Sequence, residues 1–276
     1  MTFKLAGVMG WPVSHSLSPR LHSYWLREYS ISGGYVPLPV APPQLEVAMR
    51  GLSALGFAGC NVTVPHKEAV LPFMDKLSAT AQRIGAVNTV VVQAHGSLMG
   101  DSTDGHGFIT ALREEAPGWA VDMPAVILGA GGAARAIVDA LAQAGVREFR
   151  LINRTPDRAH KLATDLGLAA QVHSWGEAPL ALKDAGLLVN TTTLGMSGQP
   201  ALPLALDGLP LQAVVFDCVY KPLETVLLQQ AAQRGHVAVG GLGMLMHQAV
   251  PGFASWFGLT PQVTPALRAH LLEALA

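Results

Sequence analysis

Short apolar runs and longer periodic stretches alternate along the chain, and together they predict its elements. An apolar run bounded by Gly or Pro indicates a strand, whereas apolar residues spaced three and four apart indicate a helix. In the first part of the chain the pattern predicts strands at 6–9, 34–38, 59–64 and 89–93 and helices at 19–28, 44–55 and 79–84. Alternation of this kind is typical of an α/β unit.

The same alternation continues into a second α/β unit. It predicts strands at 125–128, 149–152, 187–190, 214–216 and 237–239 and helices at 108–115, 133–144, 157–167 and 223–234. Helices predicted at 244–257 and 265–275 come after this unit is complete, so we expect them to return to the first one. The sequence thus predicts a two-domain α/β protein. An N-terminal α/β domain at 1–104 is completed by C-terminal helices at 241–276, and a doubly wound Rossmann-type domain spans 105–240.

The most informative segment is a glycine loop between a predicted strand and a predicted helix. The strand at 125–128 leads into Gly129-Ala130-Gly131-Gly132-Ala133, where the helix begins. Gly129 permits a tight turn, Gly131 lets the backbone approach a pyrophosphate, and the N–H groups at the helix start face the anion. Because both flanking elements are present, we interpret the loop as a dinucleotide-binding turn.

The residues after the next strand indicate which dinucleotide binds. An NAD site usually has Asp or Glu about 20 residues past the glycines, where the carboxylate bonds the ribose 2′-hydroxyl. This chain instead has Asn153-Arg154-Thr155, and Arg158 follows shortly afterwards. A guanidinium binds a 2′-phosphate through charge-assisted hydrogen bonds, whereas a carboxylate repels it. The sequence therefore predicts NADP as the cofactor.

Composition and charge exclude several classes of protein. Of 276 residues, 50% are hydrophobic and 13% are charged, and the formal net charge is −1. This composition provides no basic field for nucleic acid or an anionic membrane, and no apolar run is long enough to span a bilayer. The first apolar stretch is too short for a secretory signal. We expect a small-molecule substrate, no nucleic-acid or membrane partner, a cytoplasmic location, and a monomer or homodimer.

Cysteine and histidine usage adds two expectations. Cys60 and Cys218 are the only cysteines and lie in apolar settings, so we expect buried thiols in a reducing compartment. The ten histidines show no ligand spacing on one helix, and the chain has no CxxC motif. We therefore expect no metal site.

Candidate chemistry in the first domain centres on the end of its third predicted strand. Pro65 ends that strand and delivers Lys67 just past its tip, where a reactive side chain would lie. From this segment alone, the simpler interpretation of Lys67 is a surface lysine. Asn88 follows Gly85-Ala86-Val87, and Asp104 lies in a stretch at 100–105 that we predict to be turn-rich. Taken singly, Asn88 and Asp104 are each typical of turn or cap residues.

A second candidate segment leads from the first strand into the first helix. Ser18 precedes Pro19, a pair typical of a helix start, so we predict that Ser18 is the N-cap. The alternative is functional. The hydroxyls of Ser16 and Ser18, together with N–H groups at the helix start, suit a small carboxylate.

In combination these motifs resemble shikimate dehydrogenase. The resemblance is carried, in chain order, by His15-Ser16-x-Ser18-Pro19, Asn61-Val62-Thr63-Val64-Pro65-His66-Lys67, Gly85-Ala86-Val87-Asn88-Thr89, Thr103-Asp104-Gly105, Gly129-x-Gly131-Gly132, Asn153-Arg154-Thr155, Asp217-x-x-Tyr220 and Gly241-Leu242-Gly243-Met244. It implies NADPH-dependent reduction of 3-dehydroshikimate to shikimate, in the route to aromatic amino acids. It also implies that the first domain binds the substrate and the Rossmann domain binds NADP.

The resemblance implies roles for individual residues. The substrate pocket maps onto Ser16, Ser18, Thr63, Lys67, Asn88, Asp104, Tyr220 and Gln248. Ser16, Ser18 and Tyr220 would hold the carboxylate. Lys67 and Asp104 would flank the reacting C3 oxygen, where an ammonium stabilises the developing charge and supplies a proton. Cofactor contacts map onto Gly129, Ala130, Gly131, Gly132, Ala133, Asn153, Arg154, Thr155, Arg158, Gly241 and Met244.

Two other functions compete with this one. A quinate/shikimate-type relative that acts on a related hydroxy acid often uses NAD, and Arg154 and Arg158 argue against NAD. Relatives that use quinate also tend to have Thr at the position of Ser18. A dinucleotide-sensing module without chemistry would have no use for Lys67 and Asp104 together.

Overall fold

The structure, a computed structural model, describes residues 3–275, which divide into two units. The first contains 3–103 and 248–274, and the second contains 104–247 and residue 275. Among the described residues, no helix is both long enough and apolar enough to cross a membrane.

Strands and helices alternate along most of the chain. In chain order they are β1 (Lys4–Gly10), α1 (Ser18–Glu28), β2 (Gly33–Pro39), α2 (Leu45–Ala54), β3 (Phe57–Val62), β4 (Lys76–Leu77), α3 (Ala79–Ile84), β5 (Thr89–Val92), β6 (Leu98–Asp101), α4 (Asp104–Glu115), β7 (Ala125–Leu128), α5 (Gly132–Ala144), β8 (Phe149–Ile152), α6 (Pro156–Asp165), β9 (Ala170–His173), α7 (Ala178–Leu182), β10 (Leu187–Asn190), β11 (Val214–Asp217), α8 (Val226–Arg234), β12 (Val237–Gly240), α9 (Gly241–Phe257) and α10 (Pro265–Leu272). Helix α9 begins in the second unit and ends in the first.

The first unit is built on a mixed six-stranded sheet in the order β2-β1-β3-β5-β6-β4. β1 pairs in parallel with β2 and β3, β5 is antiparallel to both of its neighbours, and β4 is parallel to β6. The sequence pattern missed two of these strands. β4 has only two residues, and β6 has no β-branched or aromatic residue, so neither shows a strand signature.

Successive residues of β3 serve opposite faces of this sheet, as the pleat requires. Cys60 and Val62 pack in an apolar core together with residues of α2. Asn61, between them, is hydrogen-bonded by the Tyr35 hydroxyl, and the Tyr35 ring packs against Trp256 of α9. One face is therefore apolar, and the other combines aromatic rings with buried polar groups.

The second unit has a fully parallel sheet in the order β12-β11-β10-β7-β8-β9. Counted from the first strand of this unit, that is the 3-2-1-4-5-6 order of a Rossmann fold. Ile127 and Leu151 pack in a core on one face, and Val126 and Leu188 pack in a core on the other. The predicted doubly wound α/β fold is therefore confirmed.

The register of this sheet brings three strand ends to one edge. Leu128, the last residue of β7, pairs with Ile152 of β8 on one side and with Asn190 of β10 on the other. The segments that follow these strands therefore leave the sheet at the same edge, where ligands bind in open α/β folds.

The structure corrects the prediction for Asp104, which is the first residue of helix α4 and does not lie in a turn-rich stretch. The glycine that suggested a turn serves close helix packing instead. A Cβ on Gly105 would lie 2.7 Å from the Ala136 carbonyl oxygen and 3.0 Å from the Ala140 Cβ, both in α5. Only glycine lets α4 approach α5 this closely.

This contact gives a stability prediction. Gly105→Ala should destabilise the protein by about 1–3 kcal/mol, because the added methyl group overpacks the α4–α5 contact. Gly118→Ala is the matched control, since a Cβ at Gly118 meets no atom within 4 Å. Thermal unfolding checks the comparison. Equal melting temperatures for the two variants would contradict the packing role of Gly105.

Candidate active site

The segment that carries Lys67 is fixed by backbone hydrogen bonds at both ends. At its start, Thr63 N–H donates to the Met9 carbonyl at 2.8 Å. At its end, Val87 N–H donates to the Lys67 carbonyl at 2.8 Å. The second bond holds the Lys67 backbone beside the segment that leads into Asn88. The Lys67 residue itself is half-buried.

The buried side chain of His66 anchors the same segment. Its side chain is 1% exposed, and its Nε2 lies 2.7 Å from the Val40 carbonyl oxygen, beyond the end of β2. Sequence reasoning included His66 only as part of a motif and gave it no role. Its place directly before the candidate reactive lysine was the signal that the sequence offered.

Asn88 lies at the centre of a buried hydrogen-bond network in the first unit. Its Oδ1 accepts hydrogen bonds from Thr103 N–H at 2.8 Å and from the Thr89 hydroxyl at 2.9 Å. Its Nδ2 donates to Thr103 Oγ1 at 3.0 Å and to Gln248 Oε1 at 3.2 Å. The Thr103 hydroxyl donates to the Gln248 carbonyl at 2.7 Å. The structure thus brings together two predicted site residues, Asn88 and Gln248, and adds Thr103, which the sequence reasoning missed.

A second layer lies behind this network. Asn61 Nδ2 donates to the Asn88 carbonyl at 3.1 Å, and the Tyr35 hydroxyl donates to Asn61 Oδ1 at 2.6 Å. Burial raises the pKa of Tyr35 well above its usual value, partly offset by hydrogen bonds with Ser18 and Asn61, so the hydroxyl stays protonated. A polar Asn61 inside an apolar strand was a signal of this layer. Tyr35 gave none, because an aromatic residue in a strand is typical of a core.

The serine segment corrects one prediction. Ser18 is the first residue of helix α1, with Pro19 second, and the N-cap is Leu17, which makes no side-chain capping bond. Ser16 supplies the local side-chain contact instead, because its Oγ accepts a hydrogen bond from Ser18 N–H at 3.2 Å. Ser18 is 5% exposed and Ser16 is half-buried. Both hydroxyls therefore remain at the start of α1, as the functional interpretation requires.

Two predicted substrate residues belong to the second unit. Asp104 is buried at the start of α4, and Tyr220 is half-buried in the segment after β11. Thr63 and Lys67 belong to the first unit.

The glycine loop has the conformation that a dinucleotide turn needs. Gly129 has φ +105°, a region that favours glycine, and its N–H donates to the Ile152 carbonyl at 2.8 Å. Gly131 is the N-cap of α5, where no side chain caps the helix, and a Cβ there would meet no atom within 4 Å. The first turn of α5 also has no acidic residue. Space and helix N–H donors are therefore available for a pyrophosphate.

Candidate phosphate ligands follow β8. Asn153 Nδ2 donates to the Thr155 carbonyl at 2.7 Å, which shapes the turn into α6. Arg154 lies in this turn and Arg158 in the first turn of α6, and both side chains are exposed. No carboxylate occupies the last position of β8 or the two positions that follow it. These residues fit a 2′-phosphate.

Two further predicted cofactor residues lie at the start of α9. Gly241 N–H donates to the Val219 carbonyl at 3.2 Å. Met244 is 8% exposed and packs in one apolar core of the second unit, so most of its surface contacts protein.

The cysteines and possible metal ligands were predicted from the sequence as well. Neither Cys60 nor Cys218 forms a disulfide, and burial raises the pKa of Cys60 to about 12. Cys60 is buried as predicted, whereas Cys218 is only half-buried. Within residues 3–275, no group of three or more His, Cys, Asp or Glu residues is arranged to hold a metal ion.

Comparison with known proteins places these features in a family. Residues 8–90 match the family model described as "Shikimate dehydrogenase substrate binding domain", and residues 114–195 match "Shikimate / quinate 5-dehydrogenase". The chain is 57% identical over 271 residues to "Shikimate dehydrogenase (NADP(+))" of Paramagnetospirillum magneticum, with 98% of each chain covered.

Two solved structures are similar over nearly the full length. One is shikimate 5-dehydrogenase from Thermus thermophilus in complex with NADP(H) and shikimate, with 38% identity, TM-score 0.87 and coverage of 99% of this chain and 100% of that one. The other is quinate dehydrogenase from Corynebacterium glutamicum in complex with NAD, with 31% identity, TM-score 0.88 and coverage of 99% and 100%. Since both family models match in chain order and more than half of all positions are shared with a relative along almost its entire length, this chain belongs to the shikimate dehydrogenase family.

Proposed function

We propose that this chain catalyses the reversible, NADPH-dependent reduction of 3-dehydroshikimate to shikimate in aromatic amino-acid biosynthesis. The observation that carries the proposal is the placement of Lys67. Its carbonyl is hydrogen-bonded by Val87 N–H, so an amine-bearing segment lies directly beside the buried amide of Asn88. A chain that carried the fold without the chemistry would have no need to fix a lysine there.

The second unit offers a matching site for each of two charged groups of NADP, the pyrophosphate and the 2′-phosphate. The N-terminal end of α5, with open space at Gly131, suits the pyrophosphate, and Arg154 and Arg158 suit the 2′-phosphate. When bound, NADPH supplies a hydride to the C3 carbonyl carbon of the substrate. The protein provides the orientation of the two reactants and the proton for the oxygen.

Lys67 and Asp104 act on the substrate oxygen at C3. As the carbonyl is reduced, its oxygen gains negative charge, which the Lys67 ammonium stabilises and then neutralises with a proton. In the reverse direction the amine accepts that proton. Asp104 orients Lys67 and accepts a hydrogen bond from the neighbouring hydroxyl. His66 is a positioning residue, because its buried ring holds the segment that carries Lys67.

The remaining polar residues match the other groups of shikimate, which has one carboxylate and three hydroxyls. Ser16, Ser18 and Tyr220 bind the carboxylate. Thr63, Asn88 and Gln248 complete the pocket. The amide of Asn88 is already oriented by Thr103, so little side-chain entropy is lost when the substrate binds.

Quinate is the competing substrate, since the quinate dehydrogenase of Corynebacterium glutamicum has the same fold. That protein was solved with NAD, whereas this chain has Arg154 and Arg158 after β8. Ser at position 18, in place of the Thr that quinate-using relatives tend to have, also favours shikimate. We further place the enzyme in the cytoplasm, acting as a monomer or homodimer on small-molecule substrates.

The first test concerns catalysis. Lys67→Ala should lower kcat for shikimate oxidation by roughly 10²–10⁴, because the group that exchanges a proton with the C3 oxygen is lost. KM for shikimate should change much less, since most substrate contacts lie elsewhere. Lys76→Ala, which removes an exposed lysine of β4 in the same unit, is the matched control and should leave kcat unchanged.

Asp104 extends this test. Asp104→Ala should both raise KM and lower kcat, and the double variant should be only slightly worse than the poorer single variant. Steady-state kinetics with NADP⁺ measures all of these effects. Near-normal kcat in Lys67→Ala would reduce that residue to a surface lysine, and fully additive losses would mean that the pair acts independently.

The second test concerns the cofactor. Replacing Arg154 and Arg158 together with Ala should raise KM for NADP⁺ by more than about tenfold, because two charge-assisted contacts to the 2′-phosphate are removed. KM for NAD⁺ should change little. Arg147→Ala, an exposed arginine just before β8, is the control. Equal losses with the two cofactors would overturn the assignment of these arginines.

A further inference from the structure

A buried carboxylate lies at the end of β11, outside the residues assigned above. Asp217 is fully buried, and three neutral donors hold it. Its Oδ1 accepts hydrogen bonds from Asn190 Nδ2 at 2.9 Å and from Val219 N–H at 3.0 Å, and its Oδ2 accepts from the Thr225 hydroxyl at 2.6 Å. A buried carboxylate is costly unless its oxygens are paired, so this cluster is specific to an acceptor-only group.

The three donors belong to three different segments. Asn190 ends β10, Val219 lies two residues after Asp217, and Thr225 is the N-cap of α8, whose Oγ1 also accepts from Leu228 N–H at 3.3 Å. One carboxylate therefore ties both ends of the segment at 218–225 to the edge of the sheet.

Tyr220 is the residue that this arrangement places. Its chain neighbour Val219 uses both of its backbone groups, donating N–H to Asp217 and accepting from Gly241 N–H at 3.2 Å. On the other side, the Lys221 carbonyl accepts from Ser197 N–H at 2.9 Å. The backbone on either side of Tyr220 is thus fixed, and the bond from Val219 to Asp217 is the one that depends on a side chain.

We propose that Asp217 is a positioning residue that holds Tyr220 where it binds the substrate carboxylate. The inference rests on the proposed function, since it takes shikimate as the substrate and Tyr220 as one of its ligands. Asp217 touches neither substrate nor cofactor. It acts by fixing the backbone at Val219, so its loss affects binding only through Tyr220.

The test is a double-mutant cycle on KM for shikimate. Asp217→Asn keeps the size of the side chain but replaces one acceptor oxygen with a donor, so at least one of the three bonds is lost or has its direction reversed. KM should rise about tenfold, the scale expected for a misplaced hydrogen bond to a charged carboxylate. In a Tyr220→Phe background the same substitution should change KM less than about twofold, because the contact it positions is already absent.

A second pair of variants covers the case in which Asp217→Asn does not fold. Thr225→Val removes the donor to Asp217 Oδ2. It should raise KM when Tyr220 is present and leave KM unchanged in the Tyr220→Phe background. Thr225→Ser retains the hydroxyl and should have a normal KM. His236→Gln is the stability control. It disturbs another buried polar contact of the same unit, to the Ala213 carbonyl, and should lower the melting temperature without a change in KM.

The outcomes separate the two proposals. If the wild-type protein oxidises shikimate and Tyr220→Phe raises KM, but Asp217→Asn raises KM equally in both backgrounds or not at all, Asp217 is purely structural and the inference is overturned. If Tyr220→Phe leaves KM unchanged, the inference also fails while the proposed activity stands. If the wild-type protein does not oxidise shikimate, both proposals fail.

Discussion

The buried amide of Asn88 must be paired, and this requirement constrains the segments of the first unit that carry the predicted substrate-binding residues. An amide that is 2% exposed must find protein partners, because each buried donor or acceptor left unpaired costs about 1–3 kcal/mol. Those partners come from three segments of the chain. They are Thr103 between β6 and α4, Thr89 in β5 and Gln248 in α9. Since Val87 N–H binds the Lys67 carbonyl, satisfying Asn88 also fixes the segment that carries the lysine.

The second unit solves a similar problem with different groups. Its parallel sheet sends the ends of β7, β8, β10 and β11 to one edge, and polar residues at those ends must be paired there. Thr191 Oγ1 donates to the Leu128 carbonyl at 2.6 Å, directly beneath the glycine loop. Asn190 binds Thr192 with its Oδ1 and Asp217 with its Nδ2. The loops that would meet a ligand are therefore held by buried or partly buried hydrogen bonds and need little reorganisation on binding.

The Rossmann fold could be predicted well because its sequence signals lie within short segments of the chain. Strands buried on both faces read as continuous apolar runs, and the loop at Gly129 follows one of them directly. The edge strand β9 was missed because Gln171 and His173 interrupt its apolar pattern. The helix predicted at 223–234 begins three residues later, at Val226, because Thr225 is its N-cap. The Thr225 hydroxyl also donates to Asp217, a long-range contact that the local pattern does not reveal.

The site was less predictable because it depends on packing between distant segments. Ser18 and Pro19 gave a cap signal, yet the helix starts one residue earlier than an N-cap at Ser18 requires. Gly105 suggested a turn because a close approach between α4 and α5 leaves no trace in local sequence. Lys67 was indicated by its position past a predicted strand end, and motif order supported both Lys67 and Asn88. No spacing rule reveals that Thr103 completes the network around Asn88. The roles of the individual site residues stay predictions.

Buried networks in both units prepare this chain to oxidise shikimate with NADP⁺, and one measurement tests that claim most directly. It is the initial rate of cofactor reduction by the purified protein in all four combinations of shikimate or quinate with NADP⁺ or NAD⁺. We expect the highest kcat/KM for shikimate with NADP⁺, with losses of at least about tenfold when either partner is exchanged. Comparable rates with quinate and NAD⁺, or no turnover in any combination, would contradict the claim.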